Sequence, residues 1–412
     1  MRLALFWGAA ALIAYTYIVF PVVVFVRGLV LRRPYKSADS TPSVSMIVAA
    51  HNEAGIIEAK LDNILALDYP HDRLEVVLAS DGSSDGTDEL VRDYAARHPE
   101  LAIKLLSLPR QGKIPALNAA VAAASGEILI FSDANSMYAP DAVRALVRPF
   151  ADPAVGGVAG DQQYVTRHQG GTTSDGEHSY WAFDRKLKRS QSRAGNAISA
   201  TGAIYAIRRS LFQPIPVGVT DDFVVSTRVI AQGYRLVFAP DAIAYEPVAG
   251  SGNVEFSRKV RVITQGWRSV QVMRELFNPF QYGFYAIQLF SHKVLRRLMV
   301  FPLLILLLVS PWLWQHGRLY QAATLVQAGF YACGALGMVL AGTRLGRLKI
   351  FTIPFFFCMA NAAALLAALN MLRGRRIDRW EPQRHQPDGA VTSHSDRMVS
   401  SASAEPGQTG VK

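Results

Sequence analysis

Apolar and polar positions divide this chain into a central part of short alternating segments and two ends built from long apolar runs. In the central part, continuous apolar runs that suit buried strands alternate with segments of helical spacing, which is typical of an α/β sheet with helices on its faces. The predicted strands are 44–49, 74–79, 103–108 and 127–132, and the predicted helices are 56–67, 87–97 and 113–124. Roughly 240 residues lie between the apolar ends, enough for one α/β domain, which we place at 42–275.

The apolar ends predict membrane spans. Residues 3–26 carry no charge and exceed the roughly 20 residues that a helix needs to cross the hydrocarbon core. Basic residues concentrate after this run, which places its C-terminal end in the cytoplasm, makes 1–30 a membrane anchor and argues against a cleaved signal peptide. Three further apolar runs, 299–314, 319–340 and 350–372, predict C-terminal spans, the first of them short for a full crossing.

The sequence leaves the membrane topology open. Residues 276–298 carry Lys293, Arg296 and Arg297 and predict an amphipathic interfacial segment that lays the domain on the bilayer. A cytoplasmic domain followed by three spans would place the Arg-rich stretch 373–379 outside, against the positive-inside rule. Either one apolar run is re-entrant or an additional segment near 284–290 crosses. The polar tail 378–412 predicts disorder.

Charge and cysteine content exclude several classes of protein. The net charge of +11 is explained by basic residues that flank the spans and face anionic lipid, since no basic-aromatic nucleic-acid motif is present. Cys333 and Cys358 both lie in predicted spans, which excludes a disulfide framework and a cysteine zinc site. We therefore expect a multi-pass protein of the cell (inner) membrane with a cytoplasmic domain, in contact with the lipid bilayer and not with nucleic acid.

Acidic and amide side chains follow the predicted strands, where open α/β sheets bind ligands. Asn52 and Glu53 follow the first strand, and Asp81 begins an Asp-Gly-Ser-Ser-Asp-Gly-Thr run after the second. Both loops suit hydrogen bonds to a nucleoside, but Asn52 also suits a helix N-cap, and the second loop also suits a turn and cap. Asp133 and Asn135 are two positions apart after the fourth strand and suit a Mg²⁺ or Mn²⁺ ion held on a diphosphate, with an Asx turn as the alternative.

Six short motifs occur in an order that resembles family 2 glycosyltransferases of the GT-A fold. They are Ala50-His51-Asn52-Glu53, Asp81-Gly82-Ser83, Gly112-Lys113 with Leu117-Asn118, Asp133-Ala134-Asn135, Thr201-Gly202-Ala203 and Thr220-Asp221-Asp222. Within the family, the chain is similar over about 42–300 to the membrane-integrated branch of cellulose, chitin, hyaluronan and poly-N-acetylglucosamine synthases. The resemblance implies an open mixed sheet flanked by helices, inserted between N-terminal and C-terminal transmembrane helices.

The resemblance also implies roles for individual residues. Those expected to bind the nucleotide-sugar donor are Glu53, Asp81, Lys113 and Asp133, with Asp133 and Asn135 at the metal. Asn135 departs from the acidic residue that is usual at the second position of its motif. Thr201, Gly202 and Asp221 are expected at the acceptor, and Asp222 is expected to be the general base.

The base assignment also has a chemical rationale of its own. A sugar hydroxyl is a poor nucleophile, and a carboxylate that takes its proton during attack accelerates a single displacement, which inverts the anomeric carbon. The alternative is that Asp221 and Asp222 cap the helix predicted to run through 223–231.

One motif departs from the synthase pattern. Processive synthases carry Gln-x-x-Arg-Trp after the base, whereas this chain has Arg258-Lys259-Val260-Arg261-Val262, in which only Arg261 matches. Arg258 and Arg261 lie three apart and would share a helix face toward the diphosphate. Trp267 offers a substitute ring for the acceptor sugar.

These patterns predict a membrane-bound inverting glycosyltransferase of cell-surface polysaccharide biosynthesis, acting on a polysaccharide or lipid-linked acceptor. A non-catalytic nucleotide-sugar-binding scaffold or partner subunit of a synthase is the alternative, although it would tolerate loss of Asp222. Because three C-terminal spans form a small conduit, polymer export would require a second copy or a partner subunit.

Overall fold

The computed structural model describes residues 1–165, 174–247 and 252–374. The strands are β1 Val44–Ala50, β2 Leu74–Asp81, β3 Ala102–Leu108, β4 Ile128–Asp133, β5 Met137–Tyr138, β6 Val155–Val165, β7 Tyr205–Arg208 and β8 Arg235–Pro247. The α-helices are α1 Arg2–Ala14, α2 Phe20–Val30, α3 Ile57–Leu65, α4 Thr87–Arg97, α5 Lys113–Ala123, α6 Ala142–Val147, α7 Ser174–Ala194, α8 Asp221–Ala231, α9 Gly252–Val272, α10 Pro279–Tyr282, α11 Phe284–Leu289, α12 Arg296–Leu298, α13 Val300–Val309, α14 Arg318–Val339 and α15 Lys349–Leu372. π-helical segments occur at Tyr15–Val19 and Phe290–Leu295, and 3₁₀ turns at His71–Arg73, Arg148–Ala151, Arg209–Leu211, Arg274–Phe277, Pro311–His316 and Leu345–Arg347.

All eight strands form one mixed, open sheet in the order β3-β2-β1-β4-β7-β6-β8-β5. The half from β3 to β4 is parallel, whereas β7 is antiparallel to both of its neighbours, β4 and β6. This arrangement of sheet and helices confirms the predicted α/β fold class. The four predicted strands and three predicted helices are all present, with ends within two residues of those expected from the sequence.

Two apolar layers cover the faces of the sheet. Along β1, Met46 and Val48 join the core beneath α3 and α6, while Ile47 and Ala49 join the core beneath α5 and α8. Every residue of β1 is buried. Burial on both faces explains why this strand is a continuous apolar run in the sequence, without alternation.

Three of the described helical segments are long and apolar enough to cross a membrane: Arg2–Val30, Arg318–Val339 and Lys349–Leu372. The apolar run 299–314 is divided at Ser310 into the shorter helix α13 and a 3₁₀ turn. Tyr15 Oη lies 2.9 Å from Ser291 Oγ, and the Arg2 guanidinium lies 4.5 Å from the ring centre of Trp312. The segment 291–312 therefore runs antiparallel along α1.

The segment expected at the interface, 276–298, is attached to the sheet domain. Its apolar side chains Leu276, Tyr285 and Leu289 pack in the core beneath α5 and α8. The Tyr285 hydroxyl donates a hydrogen bond to the carbonyl of Ile198 at 2.9 Å. This apolar face of the segment is therefore covered by protein. The predicted disordered tail, 378–412, lies outside the described residues.

The N-terminal helical segment contacts the sheet domain through α2, which packs against α7. A Cβ placed on Gly28 would lie 2.8 Å from the carbonyl oxygen of Ser190, so the two helices approach too closely for a side chain here. The amide N–H of Arg33 also donates to the carbonyl of Arg193 at 2.8 Å.

We expect Gly28→Val to lower the unfolding free energy by about 1–3 kcal/mol, since overpacking would push α2 away from α7. Thermal unfolding in detergent measures the change. Gly8→Val is the matched control, because it adds the same side chain to the same apolar segment where a new Cβ meets nothing within 4 Å. Equal melting temperatures for the two variants would contradict a tight α2–α7 contact.

Candidate active site

The loops that follow β1 and β2 are joined by hydrogen bonds into one wall at the carboxyl edge of the parallel strands. The Asn52 N–H donates to Ser83 Oγ at 3.1 Å, and Asn52 Oδ1 accepts from the Ser84 N–H at 2.9 Å. Asn52 has φ 54°, a left-handed conformation that asparagine tolerates. Helix α3 begins only at Ile57, so the alternative that Asn52 is its N-cap is wrong.

Glu53 and Asp81 are both deeply buried in this wall, with 1% and 2% of their surface exposed. The Asp81 carboxylate forms an ion pair with Arg110 and accepts the backbone N–H of Gln111 at 2.7 Å and of Gly112 at 2.9 Å. Helix α4 begins six residues later, at Thr87, with Gly86 at its N-cap position, so Asp81 is not its cap. Asp81 therefore fixes the loop that leads into α5.

Lys113, the first residue of α5, lies at the centre of the site. Its ammonium is 2.7 Å from Asp133 Oδ1 at the end of β4 and 3.3 Å from Asp221 Oδ2 at the start of α8. Burial alone would lower the pKa of Lys113, but Asp133 and Asp221 outweigh it and raise that pKa. The Lys113 ammonium thus joins the Asp133-Ala134-Asn135 motif to the Thr220-Asp221-Asp222 motif, which lies almost 90 residues later in the chain.

Asp222 lies beside this group at the N-terminus of α8. Burial, followed by the adjacent Asp221 carboxylate, raises the pKa of Asp222 to about 6, against the opposing influence of Lys113 and Lys293. Asp222 Oδ1 accepts the N–H of the next residue, Phe223, at 2.7 Å. The capping alternative is thus correct only in the limited sense that this carboxylate meets one N–H of the first helical turn.

Helix α9 holds the Thr-Asp-Asp motif in place. Ser269 Oγ accepts the Thr220 N–H at 2.9 Å and lies 3.0 Å from the Thr220 hydroxyl. The same helix carries Arg258 and Arg261. Burial and the neighbouring Arg258 lower the pKa of Arg261, whereas Asp133 opposes the shift, so Arg261 lies within electrostatic reach of the central carboxylates.

The residues at this position fit a divalent cation bound together with a diphosphate. Lys113 shows that a positive charge is accommodated between Asp133 and Asp221, and Asp133 and Asn135 supply the carboxylate and amide oxygens that Mg²⁺ and Mn²⁺ accept. Among the described residues, no group of three or more His, Cys, Asp or Glu forms a complete metal cage. A cation here would therefore complete its coordination with substrate phosphate and water, as is usual for Mg²⁺.

The Thr-Gly-Ala motif lies directly against the metal motif. A Cβ on Gly202 would be 3.1 Å from Asp133 Oδ2. In the described part of the chain, the buried hydroxyls of Thr201 and Tyr205 have no hydrogen-bond partner. Because buried polar atoms are normally bonded, these two hydroxyls are suited to meet a ligand.

Trp267 is not an open stacking surface. Its side chain is 8% exposed, and the guanidinium of Arg297 lies over the ring at 5.6 Å from its centre. One ring face is therefore covered by a cation, so an acceptor sugar stacked there would have to displace Arg297.

Sequence reasoning missed Lys60, Tyr205 and Glu246. Burial lowers the pKa of Lys60 to about 7, with Asp133 and Glu246 opposing the shift, which places this lysine behind the metal motif. A signal for Lys60 was present, since Ile57, Lys60, Leu61 and Ile64 have the spacing of one helix face, and a lysine among apolar residues on that face is unusual.

The chain is similar in sequence to known glycosyltransferases. The chain is 27% identical over 258 residues to the poly-beta-1,6-N-acetyl-D-glucosamine synthase of Staphylococcus aureus, covering 61% of this chain and 60% of that protein. It is 26% identical over 227 residues to the probable glycosyltransferase YdaM of Bacillus subtilis, covering 53% and 54% of the two chains. The similarity thus spans about half to three fifths of the length of these relatives.

A solved structure covers more of the chain. The mannosyltransferase PcManGT from Pyrobaculum calidifontis, in complex with GDP-Man and Mn²⁺, superposes with a TM-score of 0.66 at 29% identity, covering 90% of this chain and all of that one. Residues 45–215 match the model of the family described as glycosyl transferase family 2. These residues contain nearly all of β1 and the whole of β2, β4 and β7, and with them Asn52 and Glu53, Asp81, Asp133 and Asn135, and the Thr-Gly-Ala motif. Residues 45–215 of this chain therefore match a family 2 glycosyltransferase domain, and the sheet with its helices has the GT-A fold.

Proposed function

We propose that the protein is a membrane-bound inverting glycosyltransferase that moves a sugar from a nucleotide-diphosphate sugar to a hydroxyl of a polysaccharide or lipid-linked acceptor. The observation that carries this proposal is the pairing of Lys113 with Asp133 and Asp221, beside the half-buried Asp222, whose pKa is raised. A diphosphate requires cations, and a hydroxyl nucleophile requires a base. This site offers both within one group of side chains.

The donor would lie across the wall formed by the loops after β1 and β2. Glu53 and Asp81 would meet the nucleoside, and Lys113 would meet the diphosphate as a compact positive charge. Arg258 and Arg261 would face the diphosphate from α9, where the lowered pKa of Arg261 reflects its burial beside Arg258. A neighbouring anion would offset the repulsion between these two guanidinium groups.

Asp133, with Asn135, would hold a Mg²⁺ or Mn²⁺ ion. When bound, this ion neutralises the negative charge that develops on the departing nucleoside diphosphate. The PcManGT complex with Mn²⁺ supports the use of such an ion. Lys113 would then share the phosphate charge with the ion instead of pairing only with Asp133 and Asp221.

Asp222 would act as general base. It would take the proton of the acceptor hydroxyl while that oxygen attacks the anomeric carbon and the bond to the diphosphate breaks, which inverts the configuration. Thr201, Gly202 and Asp221 would shape the acceptor side, together with the Tyr205 hydroxyl. The contact of Gly202 with Asp133 supports a short distance between the acceptor and the leaving group.

The apolar helices support a place in the cell membrane, with the catalytic domain in the cytoplasm where nucleotide sugars are made. The resemblance to a poly-N-acetylglucosamine synthase supports a role in cell-surface polysaccharide biosynthesis. Because Arg297 covers the ring of Trp267, this ring is not open to stack on the terminal sugar of a growing polymer, which supports the addition of few sugars over long processive synthesis. A partner subunit would then be required only if the product is an exported polymer.

Transfer by purified protein in detergent, tested with a panel of UDP and GDP sugars and Mn²⁺, checks the proposal directly. We expect nucleotide release with one donor, abolished by EDTA, and a product whose mass shows sugar addition. Asp222→Asn should bind the same donor but transfer it about 10²-fold or more slowly, because the base is lost. Turnover by Asp222→Asn at the wild-type rate would contradict the base assignment, and inactivity across the panel would contradict the proposed function.

The rate should depend on pH through Asp222. A base works only when ionised, so with its pKa raised to about 6 we expect kcat/KM to fall toward tenfold per pH unit below about pH 6 and to level off above it. The pH profile of the wild-type enzyme measures this limb, and the profile of the residual activity of Asp222→Asn should lack it. A limb near pH 4, the ordinary range for a carboxylate, would argue against a buried base.

Gly202→Ala should slow transfer by about tenfold, since a side chain here would push the Asp133 carboxylate by a few tenths of an ångström, and small misplacements are costly in catalysis. Steady-state kinetics at saturating donor measure the effect. Gly195→Ala is the matched control, because a Cβ at that glycine meets nothing within 4 Å. Equal kcat values for the two variants would show that the contact between Gly202 and Asp133 does not affect the reaction.

A further inference from the structure

Lys60 joins the two ends of the loop that carries Asp133 and Asn135. It lies on the buried face of α3 with none of its surface exposed. Its ammonium donates to Ser132 Oγ at 2.8 Å and to the carbonyl oxygen of Ser136, and it lies 4.5 Å from the ring centre of Tyr138. The Lys60 ammonium thus bonds to both ends of the loop 132–136 and holds them together.

Glu246, at the end of β8, holds the same loop from a second side. It is 8% exposed, and its Oε1 accepts the hydroxyl of Ser136 at 2.7 Å. Its other carboxylate oxygen accepts the side-chain amide of Gln162 on β6. Ser136 therefore receives a contact from each charge, its carbonyl from Lys60 and its hydroxyl from Glu246.

Burying two charges costs free energy that apolar side chains of similar size would not cost. Both buried charges lie behind the loop 132–136. That loop is also shaped by a backbone hydrogen bond and by the buried Ala134, so the two charges are not needed merely to form the turn. Asp133 lies within electrostatic reach of both charges. Groups that orient a ligand-bearing loop from behind are expected where the position of the ligand matters.

We propose that Lys60 and Glu246 are paired positioning residues that hold the loop 132–136 so that Asp133 and Asn135 face the cation and diphosphate of the donor. The identity of that ligand rests on the proposed function. The placement of the two charges on either side of Ser136 is observed in the structure and does not rest on the proposed function. Neither residue touches the reacting atoms, so both act through the loop.

The test compares Lys60→Met, Glu246→Gln and the double variant with the wild-type protein. The measurement is the affinity for Mn²⁺ in the presence of UDP or GDP, followed through the electron paramagnetic resonance signal of free Mn²⁺. We expect each single variant to weaken Mn²⁺ binding by about tenfold, as is typical when a group behind a metal ligand is removed. The double variant should lose less than the product of the two single losses, because it leaves no uncompensated buried charge.

Matched controls separate positioning from general stability. Lys188→Met removes another buried lysine, which lies over the Phe238 ring, and Glu75→Gln alters another glutamate bonded to serine hydroxyls. Both should leave Mn²⁺ affinity unchanged. If Lys60→Met does not fold, Ser132→Ala still removes one contact of the Lys60 ammonium and should weaken Mn²⁺ binding by a smaller factor.

The outcomes distinguish this inference from the proposed function. Lower melting temperatures with unchanged Mn²⁺ affinity in the single variants would make the pair a structural feature and overturn the inference while leaving the proposed function intact. Additive losses in the double variant would show that the two residues do not act as a pair. Absence of nucleotide-dependent Mn²⁺ binding by the wild-type protein would instead contradict the ligand on which the inference rests.

Discussion

The site depends on the position of one ammonium group. Lys113 contacts Asp133 and Asp221, and the Asp222 carboxylate lies close by, so three negative charges surround one fixed positive charge. Without it, the end of β4 and the start of α8 would repel each other. The residue before it, Gly112, donates its N–H to Asp81, so the loop that carries Lys113 also connects the wall formed by the loops after β1 and β2 to the aspartates around the ammonium. A short stretch of chain thereby sets the distance between Asp81 and the two aspartates, Asp133 and Asp221, that Lys113 joins.

The reversal of strand direction inside the sheet has an equally direct consequence. Since β7 runs antiparallel to β4, the chain that enters β7 lies beside the chain that leaves β4. Phe131 pairs with Tyr205 in the ladder, and their rings stack at 4.7 Å. The Thr-Gly-Ala motif just before β7 is therefore brought against Asp133, which ends β4. A fully parallel sheet would place these two motifs at opposite edges.

Local pattern predicted the parallel half of the sheet well, because strands buried on both faces are uniformly apolar and their loops are marked by Asp, Asn and Gly. It could not predict contacts that depend on distant segments. Arg297 lies 30 positions further along the chain than Trp267 and covers its ring, a contact that the spacing around Trp267 does not predict. The hydrogen bond from Ser84 to Asn52 likewise requires two loops to meet, so capping and cross-loop bonding were equally compatible with the sequence. The position of Lys60, unlike these contacts, could have been predicted, because the helical spacing of 56–67 places a lysine on the apolar face of the predicted helix.

The two adjacent aspartates at the start of α8 show how one site makes different use of identical side chains. Asp221 pairs with Lys113 at 3.3 Å, so its charge is largely balanced by a fixed cation. Asp222 is desolvated by burial and lies beside the like charge of Asp221, with a backbone N–H as its donor, and its pKa rises to about 6. A carboxylate of raised pKa holds a proton more firmly and remains ionised near neutral pH, which suits the removal of a proton from a sugar hydroxyl. The proposed chemistry thus depends on the ion pair between Asp221 and Lys113, which leaves Asp222 available for the role of base that we propose for it.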